Sequence, residues 1–417
     1  MSRPRLHLAP VSGWVNDPLG LTYRDGAYHA FVQFNPHGCA WAPECHWAHA
    51  TSPDLLTWTE QPVALSPGDG DAGCWSGCVV TDADGATTLF YTSVDLPDLG
   101  LGRVRTAYPD PTWTHWSKGD VVVRPPEDLG LATFRDPFVL RDGDLWRMLV
   151  GAGLRDGTAT ALTFVSADLR RWEYDGLLAG RSVDDHDPVW TGSAWECPQL
   201  VQVGDRHALI VSAWHQDELH HVAGALGRYV EGRVDVERWQ QLTYGPSHYA
   251  ASAFRDADGA VSVVTWLREA GSQEGEDGGW AGAMSLPMRL AAPEGRLSLT
   301  LHPSVAAARG EPAPDGVACP AWDLEWEPRD GTGEVRIHDA RHRPVAVLVV
   351  RAGLLHMRTE GVLDQAWEMP VGAAVRVVVD EAILEVLSDG AAGAGRIPCA
   401  DGSYPVAQSG TMSWWRL

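Results

Sequence analysis

Along residues 7–300 the chain alternates short apolar or apolar–polar runs with polar turns, and helical periodicity is nearly absent. Runs rich in Val, Leu, Tyr and Trp have the length and the aromatic or β-branched content of strands; examples are Tyr28 to Phe34, Thr87 to Ser93, Leu145 to Gly151, Ala208 to Trp214 and Val261 to Leu267. Their turns are periodic. An Asp-Gly or Gly-Asp pair precedes each run, at Asp25-Gly26, Asp84-Gly85, Asp142-Gly143, Gly204-Asp205 and Asp258-Gly259, with spacings of 59, 58, 62 and 54 residues. A second signal interleaves with the first, a tryptophan soon after a polar turn: Trp58 after Ser52 to Leu55, Trp116, Trp172 after Ser166 to Leu169, and Trp239. Five units of this size, each holding several strands, predict a five-bladed β-propeller over residues 1–301. An open β-sandwich with evenly spaced hairpins is the alternative.

After Leu301 the texture changes. Residues 302–320 are rich in Ala, Pro and Gly and read as a linker. Over 321–417, strands predicted at Gly333 to His338, Val345 to Val350, Ala374 to Asp380 and Ile383 to Leu387 suffice for a small β-sandwich. The expected fold is therefore all-β, a five-bladed β-propeller followed by a C-terminal β-sandwich.

With 417 residues, 45% hydrophobic and 21% charged, the chain has the composition of a globular protein with ample core. Its net charge of −23 repels phosphate backbones and anionic lipid, so neither nucleic acid nor a membrane is an expected partner. The single lysine, Lys118, lies in no glycine-rich phosphate loop, which argues against P-loop chemistry and, more weakly, against Schiff-base chemistry. The longest strongly apolar run, Val345 to Val350, falls far short of a bilayer span, and residues 1–20 lack the apolar core of a signal peptide. Seven scattered cysteines suit a reducing compartment, and the expected location is cytoplasmic.

Candidate chemistry concentrates in three stretches that fall in different repeats: Trp14 to Gly20, Phe134-Arg135-Asp136-Pro137, and Trp195-Glu196-Cys197-Pro198. Each sets one acid beside aromatic or small apolar neighbours and near a proline. Any one of them alone reads as a turn or cap. In a propeller, however, the strands that begin blades line a central funnel, so all three acids can converge. Converging carboxylates with aromatic walls suit glycoside cleavage, in which one acid protonates the leaving oxygen and another attacks or activates water. Like charges gathered in one place raise at least one carboxyl's pKa, an effect expected here to keep Glu196 protonated for acid duty.

These residues resemble the family 32 glycoside hydrolases, the β-fructofuranosidases that include invertases, levanases, inulinases and sucrose-phosphate hydrolases. Trp14 to Gly20 is similar to that family's Trp-Met/Ile-Asn-Asp-Pro-Asn-Gly signature, Phe134 to Pro137 to its Arg-Asp-Pro motif, and Glu196-Cys197-Pro198 to its Glu-Cys motif. Supporting matches are Gln33 to Pro36, Trp41, His46 to Ala50, Trp75-Ser76-Gly77, Trp280 to Pro287 and Asp380 to Gly390. The resemblance implies retaining double displacement at a terminal fructofuranosyl unit. Asp17 would be the nucleophile, Glu196 the acid/base and Asp136 the transition-state stabiliser; Asn16, Gln33, Trp41, Trp75, Ser76, Arg135 and Trp266 would line the fructose pocket. It implies no cofactor and no metal.

Some residues depart from the pattern. Leu19 stands where the family usually has Asn, with an expected effect on the pocket floor; Ala48 stands where it usually has Gly, and Cys78 replaces a small hydroxyl residue. Cys39, Cys45, His46 and His49 match no closed four-ligand metal spacing. His220, His221 and His248 read as loop residues, Tyr244 to Ala250 as a pocket rim, Glu274 to Asp277 as a solvated loop, and most of the 20 tryptophans as core. The substrate implied is sucrose or a short fructo-oligosaccharide. Fructosyl transfer, sucrose-phosphate hydrolysis and a non-catalytic fructan-binding propeller remain as alternatives.

Overall fold

The computed structural model describes residues 3–269, 279–361, 364–399 and 401–417, and the Glu274 to Asp277 run lies outside them. Five sheets, each antiparallel between its consecutive strands, follow one another along the chain. Their first strands are Gly13–Arg24, Gly73–Thr81, Leu131–Asp142, Ala194–Val203 and His248–Arg255. Each of the five periodic Asp/Gly turns closes the first hairpin of one sheet, as where Asp25-Gly26 joins Gly13–Arg24 to Ala27–Asn35. The glycines there hold φ between 58° and 86°, the left-handed region that tight hairpin turns use and a Cβ resists. The Ser-x-Asp-Leu turns lead from third to fourth strands. In the first of them Asp54 Oδ1 accepts the backbone N–H groups of Leu56 and Thr57 at 2.9 and 2.7 Å.

The first strands contact one another in chain order, and Gly13–Arg24 in turn contacts His248–Arg255. A hydrophobic cluster fills the space between each neighbouring pair of sheets. Phe90 and Val104 meet Phe134 and Met148 between the second and third sheets, and Leu149 meets Trp195 between the third and fourth. Trp14 and Val15 likewise meet Tyr249 and Val264 between the first and fifth. Within the first sheet, Trp280–Ala281 pairs in parallel with Gly13–Arg24.

The C-terminal part is a sandwich. A six-stranded sheet containing Ala321–Glu327, Val375–Asp380, Ile383–Ser388 and Ala391–Arg396 faces a five-stranded sheet containing Gly333–Asp339 and Pro344–Arg351, and both sheets contribute to one core around Trp322, Trp326 and Leu348. Thr243–Tyr244 joins the six-stranded sheet beside Ala391–Arg396. The stretch expected to be a linker carries a five-residue helix, Pro303–Ala307. The N-terminal segment is tied to the sandwich. Asp380 accepts the backbone N–H groups of Arg5, Leu6 and His7, and the fully buried His7 ring lies 2.8 Å from both Asp380 and Glu385.

Candidate active site

The three acids sit where their strands break register. Pairing jumps between Val15 and Pro18, between Arg135 and Phe138, and between Glu196 and Gln199. The cause is in the sequence: Pro18, Pro137 and Pro198 have no N–H to give to a ladder, and the bulges that result re-aim the side chains beside them. Asp136 and Cys197 take left-handed φ values of 64° and 47° there. The other two first strands break at the same level, between Trp75 and Gly77 and between Tyr249 and Ser252. All five sheets therefore turn a residue toward one place: Asp17, Ser76, Asp136, Glu196 and Tyr249.

Asp17 is oriented by three neutral donors. Gln33 Nε2 and Ser76 Oγ both donate to Oδ2, the former at 2.9 Å, and Asn16 Nδ2 donates to Oδ1 at 3.1 Å. Gln33 Nε2 also lies 2.6 Å from Ser76 Oγ, so the donors brace one another.

Glu196 is gripped on both oxygens. Arg135 Nε donates to Oε1 at 2.7 Å and the Tyr249 hydroxyl to Oε2 at 2.6 Å. The Arg135 guanidinium also stacks 5.3 Å from the Trp214 ring centroid. Asp136, 5% exposed, accepts the Cys197 N–H at 3.0 Å, and its own N–H donates to Thr92 Oγ1 at 2.8 Å. Burial, followed by the negative charges of Glu196 and Asp17, pushes the Asp136 carboxyl up to about 7 against the pull of Arg135 and the Cys197 N–H. At Asp136 the structure thus shows the elevation that gathered like charges are expected to cause in at least one carboxyl. The Cys197 thiol lies 3.7 Å from both Asp17 Oδ2 and Asp136 Oδ2, and burial, reinforced by the surrounding carboxylates, pushes it well up.

These groups open into a cleft of about 820 Å³. Asn16, Asp17, Gln33, Trp41, Trp75, Arg135, Asp136, Glu196 and Trp266 all line it, while Ser76 stands behind Asp17, buried. Trp41 is 47% exposed and edges onto Trp75 at 5.8 Å; Trp266, buried, packs edge-on to Trp14 at 5.4 Å. The expectation for Leu19 is overturned. The bulge at Asn16-Asp17 breaks the alternation that would carry Leu19 to the cleft face, and Leu19 packs instead against Phe31, Trp47 and Leu89 between the first two sheets. Cys78 is likewise core. Tyr249 lies inside the stretch expected to rim the pocket, and it reaches Glu196 itself. Trp214, Arg268 and Glu269 also line the cleft and carry no sequence signal.

Residues 7–303 match the glycosyl hydrolases family 32 N-terminal domain. A sucrose-6-phosphate hydrolase of Escherichia coli is 35% identical over 311 residues, 70% of this chain and 63% of that protein; a fructan 6-exohydrolase of Triticum aestivum is 30% identical over 338 residues, 69% and 54%. The matched stretch thus spans less than two thirds of these relatives' length. A solved structure of a mutant Bombyx mori family 32 β-fructofuranosidase in complex with sucrose superposes with a TM-score of 0.85 at 25% identity, covering 100% of this chain and 94% of that one. A fructan 1-exohydrolase of Cichorium intybus in complex with 1-kestose gives 0.82 at 19%, covering 100% and 97%.

Proposed function

The chain belongs to glycosyl hydrolase family 32, and from that premise we propose that it is a retaining β-fructofuranosidase releasing terminal fructose from sucrose or short fructo-oligosaccharides. The observation that carries the proposal is the meeting of Asp17, Asp136 and Glu196, from three sheets, in one aromatic-walled cleft. Asp17, held by Asn16, Gln33 and Ser76, attacks the anomeric carbon as Glu196 gives its proton to the departing glycosidic oxygen. Glu196 then takes a proton from water, which releases fructose from Asp17. Retention requires about 5 Å between the two carboxyls. Asp136 accepts hydrogen bonds from fructose hydroxyls; those donors replace lost solvation and favour its carboxylate when substrate is bound. Trp41, Trp75 and Trp266 supply apolar faces for the sugar.

The five sheets in this reading are a closed five-bladed propeller over 1–301, with 302–320 connecting it to a sandwich domain over 321–417. A cytoplasmic location is supported by seven cysteines that are all free. Sucrose phosphorylated on the leaving group is the second reading, favoured by the Arg268 guanidinium in the cleft wall and by the similarity to sucrose-6-phosphate hydrolases. The test is fructose release from sucrose, sucrose 6-phosphate and 1-kestose beside an Asp17→Asn control. Release abolished in the control supports hydrolysis and ranks the substrates. Binding of the sugars without release by the unaltered protein would favour a fructan-binding propeller instead.

A further inference from the structure

One wall of the cleft ends in Arg268 and Glu269, consecutive residues just past strand Val261–Leu267. The Glu269 carboxylate accepts from Arg396 Nη2 at 2.5 Å, from Arg396 Nε at 3.1 Å, and from the backbone N–H of Gly282 at 3.2 Å. Arg396 ends strand Ala391–Arg396 of the sandwich, outside the cleft. The two side chains are 5% and 8% exposed, so water competes little for the pair. The same guanidinium reaches the Leu267 carbonyl at 3.5 Å. Arg396 thereby holds the chain on both sides of Arg268.

Arg268 faces the other way. It donates to the backbone carbonyls of Pro246, Leu219 and His220, the last two at 2.6 and 3.0 Å, and its guanidinium carbon lies 5.6 Å from the Tyr249 ring centroid. A guanidinium over a phenol is attracted to the ring face and strengthens the hydroxyl as a donor. That hydroxyl donates to Glu196. Each of the three Arg268 nitrogens thus meets a backbone carbonyl, which fixes the plane of the guanidinium beside Tyr249.

We propose that Arg396 of the sandwich is a positioning residue for Glu196, acting through the Leu267–Glu269 segment it holds and the Arg268 that this segment sets against Tyr249. The proposal rests on the assignment of Glu196 as acid/base. It gives the sandwich a part in the chemistry of a cleft it does not line.

The experiment compares kcat/KM for sucrose, whose leaving oxygen needs a proton, with kcat/KM for 4-nitrophenyl β-D-fructofuranoside, whose phenolate leaves without one. The Arg396→Met/Glu269→Gln double variant removes both charges and so leaves none buried alone. The expected result is a loss of about tenfold on sucrose, mainly in kcat, against less than about twofold on the aryl fructoside. Arg268→Met, with the ion pair intact, reproduces that selective loss and serves if the double variant does not fold. Equal losses on both substrates, or none, beside a Glu196→Gln control that does show the selective loss, would overturn the proposal while leaving Glu196 its role. A Glu196→Gln control that shows no selectivity would remove the assignment of Glu196, and the proposal with it.

Discussion

Tyr249 donates its phenol hydroxyl to Glu196 Oε2 at 2.6 Å, opposite the Arg135 Nε that holds the other oxygen at 2.7 Å. The carboxyl is therefore fixed in direction before substrate arrives, which is what proton delivery to one particular glycosidic oxygen requires. Tyr249→Phe should lower kcat/KM on sucrose by about tenfold to a hundredfold, since in the proposed mechanism charge develops on Glu196 as its proton leaves, and a hydrogen bond to a charged group contributes roughly 1.5–3 kcal/mol. Steady-state kinetics check this, and wild-type rates in the variant would show that Arg135 alone suffices.

Asp136 gives stability a pH dependence of known sign. In the unfolded chain an aspartic acid loses its proton near about 4, whereas in the fold burial and two neighbouring carboxylates hold it to about 7. Between these values the folded state binds more protons than the unfolded state, so this group's contribution falls as pH rises. Asp136→Asn should inactivate the protein and yet unfold at a higher temperature, by a margin that widens from pH 4 to pH 7. A margin independent of pH would mean that Asp136 titrates normally.

The rate should follow the same group. In the proposed role of Asp136, protonation below about pH 7 removes an acceptor for the fructose hydroxyls from the free enzyme, and the acidic limb of kcat/KM is predicted near that value. The limb of kcat should lie lower, because bound hydroxyls favour the carboxylate. Coincident limbs would argue against contact between Asp136 and the sugar.

A second titration lies between the sandwich and the N-terminal segment. Burial pulls the His7 pKa down, but hydrogen bonds to Asp380 and Glu385 and their charges outweigh it and lift His7 to about 9, while Asp380 is correspondingly lowered. Stability from this contact is complete below about 6.5, the unfolded histidine value, and is lost as pH rises through about 9. The difference in urea midpoint between the protein and His7→Gln should therefore shrink on going from pH 6 to pH 9.5. A constant difference would place a neutral histidine there.

Much of this was legible in the sequence because it was written in periods. The Asp25-Gly26 turn and its four counterparts mark the first hairpins, since only residues tolerant of positive φ close them. The three acid motifs were visible because a proline within two residues of an acid is unusual within a strand. Strand alternation, by contrast, misplaces Leu19, because a bulge changes which face every later residue occupies. Tyr249, Arg268 and Glu269 reach the cleft through contacts between distant strands, and no local spacing announces those. The sequence likewise names three like charges but not how deeply each is buried, and burial is the largest cause of the raised Asp136 pKa.

The most direct test of the central claim is peptide mapping by mass spectrometry of the Glu196→Gln variant quenched during turnover of 4-nitrophenyl β-D-fructofuranoside. The aryl group departs without help, and the missing base leaves the covalent intermediate to accumulate. A single fructosyl group on the peptide containing Asp17 is the predicted result. A fructosyl group on another residue, or turnover with no adduct at all, would contradict the assignment of Asp17 as nucleophile and the retaining mechanism built on it.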